Sequence, residues 1–121
     1  MLEHPITRTI TLRATPEEVW AALTDMNRLS EWFGVRAEID PRRGGAVRFV
    51  EDGGTERRGL VEAFEPPHRL AFRWRAVRLV ARGVETGDAS TVEFVLRREA
   101  RGTTLVVTES PGILAASGAA S

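Results

Sequence analysis

The chain has 121 residues, and its 17 basic side chains balance 17 acidic ones. A chain of this length supports one domain around a single core, and the balanced charge gives no net field to attract nucleic acid or an anionic membrane. Every basic side chain is arginine, and lysine, tyrosine and cysteine are absent. Their absence excludes Schiff-base lysines, tyrosine acids, thiolate nucleophiles, disulfides and thiolate metal sites. No apolar run approaches the ~20 residues of a membrane span, and residues 1 to 12 lack a signal-peptide core, so we expect a cytoplasmic protein.

The first elements are a strand and a helix. Residues 6 to 13 alternate with one mostly apolar side, which predicts a strand. Thr15 then provides an N-cap, Pro16 the preferred first helical residue and Glu18 the reciprocal carboxylate of a capping box. The helix that follows buries one stripe, in which we expect Trp20 to pack in the core rather than contact a ligand.

A second short helix is predicted after Asp25 and Asn27. It places Leu29, Trp32 and Phe33 on one face and ends at Gly34. The sequence therefore predicts two consecutive short helices after the first strand.

From Val35 onward the apolar residues recur with a period of two, which indicates an antiparallel meander with one apolar face. Predicted turns separate the strands wherever Gly and Pro cluster. The segment 76–90 is predicted to extend the preceding strand and then form an exposed loop, as a long hairpin tip. The predicted strands cover residues 35–39, 46–51, 56–64, 70–75, 91–97 and 103–109.

The order of these motifs resembles a known superfamily. The sequences VWAALTD and LSEWFG in the helices, followed by EPPHRLAFRW, STVEFVLRR and GTTLVVTES in the strands, are similar to those of START-like helix-grip (SRPBCC) proteins. Within that superfamily the chain most resembles bacterial proteins related to the activator of the Hsp90 ATPase, over residues 5 to 112. The resemblance implies an α+β fold, with a curved antiparallel sheet of six to seven strands wrapped around a long C-terminal helix. It also implies a pocket for apolar molecules and a single domain over residues 1–112.

The sequence departs from this pattern at its C-terminal end. After Gly112 only the short tail 113–121 follows, and nine residues make at most ~13 Å of helix. We interpret this as a truncated C-terminal helix that cannot cover the apolar sheet face. An uncovered face of that size predicts a homodimer through the sheet, and a truncated product with impaired stability is the alternative.

Catalytic groups are scarce. His4 lies beside Pro5 and His68 lies in a Pro-rich turn, so neither has a partner at metal-ligand spacing or a nucleophile to activate. The glycines lie in turns that no helix follows, so they form no phosphate loop. We therefore predict no catalytic residue, no metal and no cofactor.

Three strand carboxylates remain as acid/base candidates, Glu62, Glu93 and Glu109. The period of two places Glu93 on the solvent side beside Arg73 and Arg97, which favours a cross-strand ion pair. Glu109 continues the apolar set and is the better cavity candidate. Glu62 stays unplaced, because a bulge at Gly59 would change its face.

Three function classes stay open. We favour a non-catalytic module that binds a small apolar or amphipathic molecule on the concave face of the sheet. The alternatives are an enzyme resembling polyketide cyclases and aromatases, with a pocket carboxylate as the acid, and a protein-interaction domain like the chaperone ATPase activators. The predicted partners are a small apolar molecule and a second copy of the chain, without nucleic acid or membrane. The candidate pocket residues are Trp32, Phe33, Val47, Phe49, Val61, Phe72, Trp74, Phe94, Leu105 and Glu109.

Overall fold

The computed structural model describes residues 5–111. The predicted order of one strand, two helices and a run of strands is confirmed. His4 and the tail 113–121, with the helix truncation inferred there, lie outside the described residues. The elements in chain order are β1 (Ile6–Leu12), α1 (Pro16–Leu23), α2 (Met26–Phe33), β2 (Arg36–Ile39), β3 (Ala46–Val50), a 3-10 turn (Asp52–Gly54), β4 (Thr55–Glu65), β5 (Arg69–Val80), β6 (Gly83–Thr86), β7 (Ser90–Glu99) and β8 (Gly102–Pro111).

The described strands form one strongly curved antiparallel sheet. Its order is β1-β8-β7-β5-β4-β3-β2, and β6 pairs with the end of β5. The fold is therefore α+β as predicted, with one strand beyond the six to seven expected. The predicted extension of the strand beyond Arg75 and the exposed hairpin tip are confirmed. The prediction of a loop is wrong for Gly83–Thr86, where Val84 faces Leu79 and the backbone groups pair.

Local sequence fixes both helices. The Thr15 Oγ1 accepts from the Glu18 amide at 3.1 Å, and the Thr15 amide donates to Glu18 Oε1 at 2.9 Å. This is the predicted capping box. In α2, Asp25 accepts from the Arg28 amide at 3.0 Å, and Gly34 ends the helix with a φ of 70° that favours glycine.

The apolar face of the sheet is the concave one, and its side chains are buried within the single chain. Phe49, Phe72, Trp74, Phe94 and Leu105 are between 0% and 8% exposed. The expectation that they form an uncovered apolar face is therefore wrong. Helices α1 and α2 cover part of this face, since Val19, Trp20, Leu23 and Leu29 belong to the same buried cluster as these side chains.

Trp20 packs in the core, as predicted. It is buried, and its ring meets that of Phe64 edge-on, with centroids 5.3 Å apart. This contact joins α1 to the concave face of β4.

The convex face carries a set of arginine ion pairs. Arg48 donates to Glu56 at 2.9 Å, and Arg58 donates to the same carboxylate at 2.8 Å. Glu93 also lies on this face, as predicted, but its partner is Arg69 at 2.7 Å rather than Arg73 or Arg97. These arginines are therefore paired with carboxylates on the outer face.

Gly59 lies in regular register and is not the site of the bulge. It faces Val47 on one side and Trp74 on the other. The register shift occurs between Val61 and Ala63, so the predicted position of the bulge was wrong. Gly59 is required for a different reason, since a Cβ there would overlap the carbonyl oxygen of Arg73.

We predict that Gly59→Ala destabilises the fold by roughly 1 to 3 kcal/mol, because the new methyl group must displace the β5 backbone. Gly87→Ala is the matched control, since the nearest atom to its Cβ would be the Ala76 Cβ at 3.5 Å. Urea unfolding of both variants measures the difference. Equal midpoints would contradict the close backbone approach at Gly59.

We also predict a pH-dependent contribution from Glu56. Hydrogen bonds from Arg48 and then Arg58 lower the pKa of this carboxyl from 4.5 to about 2. Because its pKa is lower in the folded state, the carboxylate stabilises the fold at pH values above 4.5. That contribution is lost as the pH falls from 4.5 to about 2.

Unfolding measured across this pH range should show a difference between wild type and Glu56→Gln that disappears at the acid end. Glu85→Gln is the matched control, since Glu85 is exposed in β6 and is in none of the described ion pairs. Superimposable pH curves for the two variants would contradict the role of Glu56.

Candidate functional site

Five aromatic side chains form a continuous cluster on the concave face. Phe49, Phe72 and Trp74 lie with ring centroids 4.9 to 6.2 Å apart. Phe94 extends the cluster at 5.8 Å from Phe72. These rings come from β3, β5 and β7, and the sheet order brings them together although they are far apart in sequence.

Helix α2 supplies the fifth ring of the cluster. Phe33 meets Phe49 edge-on at 5.1 Å and Phe94 at 6.4 Å. It is nevertheless 40% exposed, so it lies at the rim of the concave face. Trp32 is equally exposed, and its described ring contact is with Phe33 at 6.1 Å. The predicted pocket residue Trp32 is thus placed beside the rim, without a ring contact to the sheet.

Aliphatic side chains surround the aromatic cluster. Val47, Val61 and Leu105 are all buried in the same hydrophobic core cluster. Val47 and Phe49 are two residues apart on β3 and therefore lie on the same face. Val61 on β4 faces Phe72 on β5. The apolar residues predicted from the period of two therefore share one face.

The concave face has a polar end formed by Glu109, Ser90 and Trp74. The Ser90 hydroxyl donates to Glu109 Oε2 at 2.8 Å. Trp74 Nε1 donates to the Ser90 hydroxyl at 3.1 Å and to Glu109 Oε2 at 3.4 Å. Glu109 lies between Val92 and Ile6 in the register of β7, β8 and β1. The structure thus places a half-buried carboxylate next to the aromatic cluster.

Sequence reasoning identified Glu109 but missed Ser90. The predicted strand begins at Thr91, with Val92 as the first residue on the apolar side, whereas the strand in the structure begins at Ser90. Extending the period of two backward by one step would have placed this hydroxyl on the concave face.

Arg57 is a second residue that the sequence analysis missed. Its guanidinium carbon lies 5.3 Å from the centroid of the Trp74 ring, which is within the range of a cation–π contact. The Arg57 Nε atom lies 3.5 Å from Oε2 of the Glu51 carboxylate. Counting back by twos from Val61 would have placed it on this face.

The other two carboxylates lie outside this cluster. Glu93 is on the outer face, paired with Arg69. Glu62 lies at the bulge and lines an outer groove with Arg43, Arg69 and Arg73. Its Oε1 atom is buried and has no hydrogen-bond partner among the described residues. Of these three candidates, Glu109 is the one that adjoins the aromatic face.

Histidine and metal chemistry find no support in the described part of the chain. His68 is exposed in the turn between β4 and β5. Within residues 5–111, no three histidine, aspartate or glutamate side chains are grouped so as to hold a metal ion. The described helices are too short to cross a bilayer.

A comparison with protein-family models identifies the family of the chain. Residues 13–120 match the family model described as Activator of Hsp90 ATPase homolog 1-like protein. The chain belongs to this family. No curated protein is detectably similar to it.

Solved structures confirm the helix-grip fold. DynU16, a protein of the dynemicin biosynthetic locus, is 27% identical with a TM-score of 0.74, over 91% of this chain and 38% of DynU16. CalU16 from Micromonospora echinospora is 31% identical with a TM-score of 0.66, over 93% of this chain and 63% of CalU16. MLL2253 from Mesorhizobium loti is 24% identical with a TM-score of 0.76, over 96% and 85% of the two chains. The family member described here thus spans less than two thirds of DynU16 and of CalU16.

We predict that Ser90 and Glu109 are energetically coupled. A double-mutant cycle of Ser90→Ala and Glu109→Gln should give a coupling of about 1 to 3 kcal/mol, because the hydrogen bond joins a hydroxyl to a charged group. Chemical denaturation of the wild type, both single variants and the double variant measures it.

The control cycle combines Ser30→Ala with Glu109→Gln. The Ser30 hydroxyl bonds to Ala37 of β2, at the opposite end of the sheet from β8. These two changes should be additive within about 0.5 kcal/mol. Additivity in the Ser90 cycle as well would contradict the polar cluster.

Proposed function

We propose that this family member is a binding module for a small apolar or amphipathic molecule, held on the concave face of the sheet. The observation that carries the proposal is the continuous aromatic cluster that ends at Trp74, Ser90 and Glu109. The sheet rings are buried beneath this face, whereas Phe33 and Trp32 leave apolar ring area exposed at its rim, and aromatic side chains have little rotamer entropy to lose on binding. A few convergent polar groups then orient the bound molecule.

The family and the fold support a ligand-binding helix-grip domain. The pocket residues that we propose on the sheet are those predicted from the sequence, together with Ser90 and Arg57. The proposed entrance is the rim at Phe33, which is 40% exposed. Ile6, which is 54% exposed, faces Glu109 across β1 and β8, so the polar end has an exposed apolar neighbour.

A cyclase-like or aromatase-like enzyme is a second proposal. Its specific support is Glu109, a carboxylate on the concave face that could serve as the pocket acid. Chemical conversion of a bound molecule would distinguish such an enzyme from a module that only binds the molecule. The chaperone-activator role rests on the family description and on no contact described above.

The homodimer and the cytoplasmic location are also proposals. The dimer was predicted because the sheet face was expected to be uncovered. Those side chains are buried in one chain, so their exposure no longer argues for a second copy.

Methyl NMR tests the binding proposal without altering the fold. We predict that naphthalene, a neutral apolar probe, shifts the methyl signals of Val92 and Val107 on the concave side. Val95 and Val106 are matched controls, because they alternate with the first two on β7 and β8 and lie on the other face. Saturable shifts confined to the concave pair are the expected result.

Shifts of equal size in all four valines would indicate nonspecific adsorption and contradict a concave site. The absence of any saturable shift at Val92 and Val107 would also reject the proposed function. Native mass spectrometry of the purified chain adds a second readout, since a retained small molecule would appear as additional mass.

A further inference from the structure

We infer that the polar end of the concave face selects neutral aromatic molecules bearing a hydrogen-bond donor, such as a phenolic hydroxyl, over anionic ones. This inference rests on the proposed function, and it names the class of ligand for the same site. The residue that makes the selection is Glu109, positioned by Ser90 and Trp74.

The two oxygens of Glu109 are used unequally. Oε2 accepts from both the Ser90 hydroxyl and Trp74 Nε1. None of the described hydrogen bonds involves Oε1. A carboxylate has acceptor capacity on both oxygens, so Oε1 can still receive a donor from a ligand.

The surroundings of Glu109 make that remaining capacity selective. Its direct neighbours across the adjacent strands are Val92 and Ile6, which are apolar, and Arg8 lies one step further along the same face of β1, opposite Val107. A half-buried acceptor gains when a donor replaces lost water, whereas a ligand with a negative group would bring two like charges together. The site therefore favours a ligand with a hydrogen-bond donor and disfavours a ligand with a negative charge.

The aromatic cluster determines the apolar part of the ligand. Trp74 belongs to the cluster and also donates to Glu109, so its ring and the carboxylate are adjacent parts of one surface. Trp74 is only 8% exposed, so a planar ring contacts the part of it that stays exposed, and a substituent there comes within reach of Glu109. A hydroxylated aromatic molecule satisfies both parts.

Arg57 and Arg8 are positive groups on this face that could oppose the selection. The Arg57 guanidinium lies 5.3 Å from the Trp74 ring centroid, and the nearby Glu51 carboxylate, at 3.5 Å, offsets part of its charge. Arg8 faces Val107 across β1 and β8. Dominance of either arginine would favour anionic ligands, so Glu109 and the arginines predict opposite orders of affinity.

Three probes with the same ring system test the inference. Naphthalene, 2-naphthol and 2-naphthoate are titrated separately into the wild-type chain, with the Val92 and Val107 methyl signals as the readout. We expect 2-naphthol to bind about tenfold more tightly than naphthalene through one hydrogen bond to a charged acceptor. We expect 2-naphthoate to bind most weakly.

Two variants assign the effect to the residue. Glu109→Gln keeps the shape of the side chain but removes its charge, so affinity for 2-naphthoate should rise and the preference for 2-naphthol should shrink severalfold. Glu93→Gln is the matched control, since it removes the same charge from the outer face of neighbouring strand β7. It should leave the order of the three affinities unchanged.

The two proposals fail in different ways. Saturable naphthalene binding with 2-naphthoate equal to or tighter than 2-naphthol would overturn the selection and leave the binding module standing. The same holds if Glu109→Gln folds, as judged by its methyl spectrum, and keeps the wild-type order. If none of the probes shifts Val92 and Val107, both proposals are rejected. The wild-type order alone decides the question if the variant does not fold.

Discussion

The burial of large aromatic side chains on the inner face of a strongly curved sheet is the interaction on which the rest of this structure depends. Phe49, Phe72 and Phe94 come from three strands, and each is almost completely removed from water. Burying rings of this size contributes several kcal/mol in total. The short helices have a place in the fold because they pack against this face, with Phe33 as the direct contact between α2 and the cluster.

The polar cluster at one end of the same face follows the rule that a buried polar group requires partners. Glu109 is acceptable beside the aromatic rings because Ser90 and Trp74 donate to it. Glu62 shows the contrasting case on the outer face, where a buried carboxylate oxygen has no partner among the described residues. Glu109 and Glu62 thus differ in the donors that the neighbouring strands supply to them, whereas Glu56 and Glu93 on the outer face accept from arginines.

Several predictions from the sequence failed for reasons that can be identified. The bulge was expected at Gly59 because glycine often marks one, but that glycine serves a close approach to the Arg73 carbonyl. Gly83–Thr86 was expected to be a loop, and it pairs with β5 because its backbone groups find partners there. The apolar face was expected to be uncovered because only the length of the C-terminal segment was considered, whereas residues of α1 and α2 share the buried cluster with the sheet.

Local chemistry in the sequence determined the elements and their faces. The capping box at Thr15, the C-cap at Gly34 and the period of two in the strands act between near neighbours, so they can be identified without knowing the fold. Glu109 was placed on the inner face by the same alternation. The tertiary structure alone decided that Ser90 and Arg57 join Trp74, and that Glu93 pairs with Arg69. Those contacts depend on strand order, register and curvature, which bring together residues that no local pattern connects.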